Sequence, residues 1–211
     1  MKRTPNKDDG IQNLVQRLDM ALDMRLGRVI AFISASPSEG VSAVARDYAM
    51  ALADSVDHEV LLIDAGKLDQ SFYDDHDGNS SLAIADMVAT GKPVQEAITF
   101  LAQHVHFGRW ASSGRGRNAA SKLVKDQEFW NSLQKSFGTV VIDAPSLKES
   151  PDGIGLAARA NATVLVVEAE TTRQPVIENL RDTLDAAGAK IVGIVMNKRR
   201  YYIPSKVYQN M

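Results

Sequence analysis

Asp64 and Asp143 each close an apolar run, and the stretch Ser38-Glu39-Gly40-Val41-Ser42-Ala43 follows a third. A hydroxyl at a helix start beside two carboxylates is how a magnesium–nucleotide site is assembled, because Mg²⁺ takes a few hard oxygens and keeps several waters. Residues 38 to 43 have the form of a loop that wraps phosphates in backbone amides, with Ser42 as the hydroxyl that reaches the metal. Such loops end Gly-Lys-Ser/Thr, the lysine bonding the β- and γ-phosphates. Here the three positions read Gly40, Val41, Ser42. Hydrogen bonds to charged groups contribute roughly 1.5–3 kcal/mol each, so losing the lysine weakens phosphate binding about 10- to 100-fold. Phosphoryl transfer, which depends on positive charge preorganised at the γ-phosphate, loses more. Val41 also shares an apolar stripe with Val44, Ala45 and Tyr48. Either the cationic position has become packing, or this is a helix start that never met a phosphate.

These residues need strands to hold them. "RVIAFIS" (28–34), "EVLLIDA" (59–65), "TVVIDAP" (139–145), "ATVLVVEA" (162–169) and "KIVGIVMN" (190–197) are short apolar runs of the kind that form strands buried on both faces, and "HVHF" reads as a shorter one. Helical spacing marks Ile11 to Leu22 and the stretch from Val41 to Leu52, and it continues in "SLAIADMVAT", "VQEAITFLAQ", "KLVKDQEFWNSLQKSF", 151–160 and 174–187. Gly188 falls where a helix C-cap belongs. Strands alternating with helices predict an α/β fold, a mostly parallel sheet flanked by helices. "ASSGRGRNAAS" (111–121) reads as a polar loop. In such sheets ligands bind beyond the C-terminal strand ends, where Ser42, Asp64 and Asp143 would meet.

The 211 residues suit one domain, and 24 basic against 26 acidic side chains create no global field that would recruit nucleic acid. The absence of cysteine excludes disulfides and thiolate metal sites. No run approaches the ~18 apolar residues of a membrane span, and "MKRTPNKDDG" lacks a signal-peptide core, so the expectation is a cytoplasmic chain brought to a membrane by a partner.

The loop, "LLIDAG", "VVIDAP" and "GAKIVGIVMNKRRYYIP" resemble the cytoplasmic domain of bacterial tyrosine kinases (BY-kinases), over almost the whole chain from about residue 11. The resemblance implies a P-loop NTPase fold of the deviant, partition-ATPase-like kind, with a flexible segment 1–10, a single domain 11–197 and a basic tail 198–211. It also implies ATP or ADP with Mg²⁺ as cofactor, and as partner a membrane polysaccharide co-polymerase of capsule or exopolysaccharide export. Residue by residue, Ser38, Glu39, Gly40, Val41, Ser42 and Ala43 fall on the nucleotide loop, with Ser42, Asp64 and Asp143 on the Mg²⁺ positions. Asn197 falls where relatives contact adenine. The departures are Val41 for lysine, Gly66 for a second aspartate, Leu68 for arginine and Ser146 where proline is expected. A helix motif for ring assembly, Glu-x-x-Arg-x-x-Arg, becomes Asn13, Gln16 and Asp19. Lys67 and Arg46 are candidate replacements for the missing charge.

Three functions follow from that pattern: a catalytically inactive regulatory partner of the co-polymerase, an active tyrosine autokinase with ATP at a non-standard loop, and a partition-type ATPase. The tail "NKRRYYIPSKVY" (197–208) has no acidic residue and offers Tyr201, Tyr202 and Tyr208 as phosphoacceptors, with an anionic membrane surface as a second use. Arg109, Arg115, Arg117, Lys122 and Lys125 form a second basic stretch, read as a solvated face or a polyanion site. His104 and His106 alternate on an expected strand and face one way, without a third ligand for a metal. "YDDHDGN" (73–79) reads as a polar turn rather than a calcium loop.

Overall fold

The computed structural model describes residues 7–22, 27–66, 82–111 and 115–199. Tyr201, Tyr202, Tyr208, Lys67, Leu68 and the 73–79 turn therefore lie outside the described residues.

Buried on both faces, β1 (Arg28–Ile33) is an inner strand of a seven-stranded sheet ordered β3-β4-β2-β5-β1-β6-β7. The other strands are β2 (Val60–Asp64), β3 (Ile98–Ala102), β4 (Val105–Arg109), β5 (Thr139–Asp143), β6 (Ala162–Glu168) and β7 (Ile191–Asn197). All neighbours run parallel except the edge strand β3, which is antiparallel to β4. Ile30 and Phe32 of β1 pack with α1 (Lys7–Leu22) and α2 (Val41–Ala53) through Val15, Leu18, Tyr48 and Leu52. Val29, Ala31 and Ile33 point the other way, toward α3 (Ile84–Thr90), α4 (Arg115–Leu123), α5 (Gln127–Ser136), α6 (Asp152–Arg159) and α7 (Gln174–Ala186). Two apolar layers thus sandwich one sheet, as a strand period of two requires.

Four sequence readings need correction. "VQEAITFLAQ" is not a helix: Val94–Ala97 form one 3₁₀ turn, and Ile98–Ala102 are β3. β-branched Ile98 and Thr99 with Phe100 suit an edge strand, and the turn to β4 is closed by His104 at φ 57°. The stretch 111–121 is not all loop, since α4 begins at Arg115. Nor is 122–137 one helix. Asp126 accepts from the Phe129 amide at 3.0 Å and starts α5 afresh, while Trp130 Nε1 donates to the Leu123 carbonyl at 2.9 Å. Leu123, Trp130 and Leu133 pack in one cluster, so the apolar period runs unbroken through the gap.

His104 sits in that turn rather than on a strand, yet its ring and that of His106 both reach Glu59, at 3.0 and 2.9 Å. The carboxylate ties the β3–β4 hairpin to the start of β2.

Candidate functional site

The C-terminal ends of β1, β2 and β5 converge, because parallel register sets Asp64 beside Asp143 and Asp143 beside Phe32. The chain leaves β1 through residues 34–40 and enters α2 at Val41. Two residues of this loop are left-handed, Ser38 at φ 65° and Gly40 at φ 92°. Gly40 has no alternative: a Cβ there would stand 2.0 Å from Asn197 Nδ2. Glu39 is turned inward, where Oε2 accepts from the Ala35 amide at 3.2 Å and Oε1 accepts from the Thr172 hydroxyl at 2.6 Å.

Sequence reasoning missed the outer brace of this loop. Asn197 Nδ2 donates to the Glu39 carbonyl at 3.1 Å, and Lys198 Nζ donates to the Ser38 carbonyl and to Glu168 Oε2, the latter at 3.2 Å. Thr172 in turn accepts from the Glu168 amide at 3.1 Å. Thr172, Glu168 and Lys198 come from the ends of β6 and β7, so no local motif flags them. The one usable signal was that Lys198 follows Asn197 at the end of the last strand.

Within the loop's concave side lies a cleft of about 360 Å³, lined by Ser38, Gly40, Val41, Ser42, Ala43 and Asp143 among others. Ser42 donates to the Asp143 carboxylate. Burial first, and then the charge of Asp64, push Asp143 up to about 7, against the Ser42 hydrogen bond and the Arg46 charge. Burial also raises Asp64, partly offset by the Gly66 amide, which donates to Oδ1 at 2.9 Å, and by the Arg109 charge. Val41 is 8% exposed and packs in the cluster with Val44, Ala45 and Tyr48 while its edge lines the cleft. Of the expected residues, the structure thus brings Ser38 through Ala43, Asp64, Gly66, Asp143 and Asn197 to one end of the sheet.

No known family's sequence profile matches the chain. A relative from Staphylococcus aureus, named as the tyrosine-protein kinase CapB, is 30% identical over 81 residues, 37% of this chain and 36% of CapB. The match therefore spans about a third of that relative's length. The kinase domain of the Escherichia coli tyrosine kinase ETK superposes with a TM-score of 0.78 at 19% identity, over 97% of this chain and 86% of that one. The chain has the fold of the bacterial tyrosine kinase domains. The same fold extends to the septum site-determining protein MinD of Pyrococcus horikoshii, solved with Mg-ADP, at TM-score 0.67 and 20% identity, over 87% of this chain and 76% of that one. The sheet order and flanking helices accordingly follow a P-loop NTPase arrangement, as the sequence predicts.

The cofactor implied by that fold meets these residues unevenly. Ser42 Oγ and the carboxylates of Asp64 and Asp143 are hard oxygens suited to Mg²⁺. The terminal phosphates of ATP fit less well. Among the described residues, the charged side chains lining the cleft are Asp143 and Glu149, and an apolar side chain stands at the lysine position.

Proposed function

We propose that this chain is a BY-kinase-like protein of capsule or exopolysaccharide biosynthesis, and that it serves as a non-catalytic regulatory partner of a membrane polysaccharide co-polymerase. One observation carries the non-catalytic half: the side chain at the loop's lysine position is Val41, packed into the α1–α2 apolar layer. A phosphoryl group in flight there would face Asp143 and Glu149 with no cation at the loop position that normally offsets its charge. Gly66 offers no carboxylate to activate an acceptor hydroxyl. The partner half is supported by the fold shared with ETK and by the sequence match to CapB. In this reading the chain works by docking, and the co-polymerase holds it at the inner face of the membrane. Among the described residues no helix is long and apolar enough to cross a bilayer itself.

The test is direct. Purified protein incubated with labelled ATP and Mg²⁺ should leave Tyr201, Tyr202 and Tyr208 unmodified, and the cytoplasmic segment of a co-polymerase from the same cell should retain it on a column. Tyrosine labelling at the pace of a working kinase refutes the first half; failure to bind, with no polysaccharide defect on deletion, refutes the second.

A further inference from the structure

The sheet ends at β7, and among the described residues no strand pairs with its outer edge. From Ile191 to Asn197 the strand has no charged side chain and no proline, the features that usually blunt an edge. The irregularity in its pairing with β6 falls near its start, and Gly193 to Asn197 run in regular register with Val164 to Glu168. In a parallel ladder every second residue turns both backbone groups toward the same neighbour. Asn197 accepts from the Ala169 amide on the β6 side, so Ile194 and Met196 send their N–H and C=O outward. Their side chains are 54% and 65% exposed. Val195 packs in the layer of α1 and α2, so by strand alternation Ile194 and Met196 share the opposite face, that of α7. We propose that β7 accepts a β-strand from a protein partner, an extended apolar segment flanked at both ends by acidic residues. This goes beyond the docking reading and needs neither Val41 nor the co-polymerase.

The outward backbone groups supply main-chain hydrogen bonds to any extended segment, and Ile194 and Met196 supply apolar neighbours for its alternate side chains. Charge selects the occupant. Lys190 immediately precedes β7, and Lys198 and Arg199 follow it, so the edge is apolar in the middle and cationic at both ends. A second copy paired antiparallel about Ile194 would set Lys190 opposite the second copy's Lys198, and like charges directly opposite destabilise a strand pair. The chain's own segment 200–211 carries Arg200 and Lys206 and no acidic residue, so it meets the same repulsion. An acid-flanked strand turns repulsion into attraction at both ends. Lys198 also faces Glu168 at 3.2 Å, which leaves Lys190 as the end whose charge can be varied without disturbing the loop brace. The opposite edge of the sheet suits an added strand less, because β3 has five residues and its register shifts between Phe100 and Ala102.

The probe is a synthetic peptide, acetyl-Glu-Val-Thr-Val-Thr-Val-Glu-amide, titrated into the isotope-labelled whole chain at low ionic strength and followed by NMR. The expected result is saturable shifts and slowed exchange at the Ile194 and Met196 amides. The same peptide flanked by lysine should bind about tenfold more weakly, a gap that closes at high salt. Ile194→Pro removes an outward N–H and spares the ladder with β6, so it should weaken the acid-flanked peptide about tenfold or more. Ile194→Thr, which keeps that N–H, should weaken it less. Lys190→Glu should remove most of the preference between the two peptides, which keeps the test open if the proline variant fails to fold. Equal affinity for the two peptides at low salt would overturn the proposal, as would wild-type affinity in Ile194→Pro or no shift at millimolar peptide. A self-association broken by Ile194→Pro would give the edge to a second copy instead. Ile194 and Met196 amides already protected from exchange in the isolated monomer would give it to the chain's own tail, and either result also overturns the proposal. Tyrosine labelling and co-polymerase binding are separate readouts, so this proposal and the functional reading fail independently.

Discussion

Val41 and Asp143 differ in how openly the sequence displayed them. Val41 was legible from type and spacing alone, because an apolar residue on the stripe of Val44 and Tyr48 can only enrich the packing layer in which it is found. The state of Asp143 was not, since it depends on burial and on Asp64, a neighbour 79 positions earlier that only the β2–β5 register supplies. Burial and the Asp64 charge push Asp143 up to about 7 in the fold, above its ordinary 3.8, so between those pH values the folded chain binds more protons than the unfolded one. Stability contributed by this group is therefore present in acid and lost as pH rises through about 7. Asp143→Asn, which keeps an acceptor for Ser42 but cannot ionise, should remove that slope. Urea melts should show little difference between variant and wild type near pH 4, and the variant should be more stable by a few kcal/mol near pH 8. Equal pH profiles for the two proteins would mean that Asp143 ionises as freely in the fold as in the open chain.

At the scale of elements, the strands were readable because each is an uninterrupted apolar run, whereas 94–103 misled because five residues of an edge strand imitate a helical period as well as they do a pleat. The loop–β7 contact was beyond reach for a different reason: it joins Gly40 to Asn197 across most of the chain. That contact makes a double-mutant prediction. Gly40→Ala forces a methyl into the Asn197 amide at a left-handed position and should cost about 2–3 kcal/mol. In an Asn197→Gly background the collision is gone, and the cost should fall to about 1 kcal/mol of backbone strain. Additive costs in denaturant melts would show that the two elements do not press on one another. A second prediction concerns Asp19 of α1. Its Oδ1 accepts from Arg28 Nη1 at 2.9 Å, and the Arg28 side chain is 8% exposed, so an arginine at 19 would set two cations together. Asp19→Ala should destabilise by about 3 kcal/mol by leaving that buried guanidinium unpaired, with loss of hydrogen-exchange protection greatest in α1.

For the molecule as a whole, the sheet divides the labour. Its N-terminal edge carries structural ties, Arg28 to Asp19 and Glu59 to the two histidines, while its C-terminal edge gathers every carboxylate and amide of the candidate site. A ligand shifts a conformational equilibrium only by its differential affinity for the two states. Here the loop is held from both sides by the chain's own groups, Glu39 inside and Asn197 and Lys198 outside. A loop so braced leaves little conformational work for a triphosphate, and partner binding should then be indifferent to it. Co-polymerase retention should be the same in excess EDTA, in Mg²⁺-ATP and in Mg²⁺-ADP, and it should survive Asp143→Asn unchanged. Release of the partner by ATP, or by chelation of Mg²⁺, would mean that the site at the strand ends still switches the molecule.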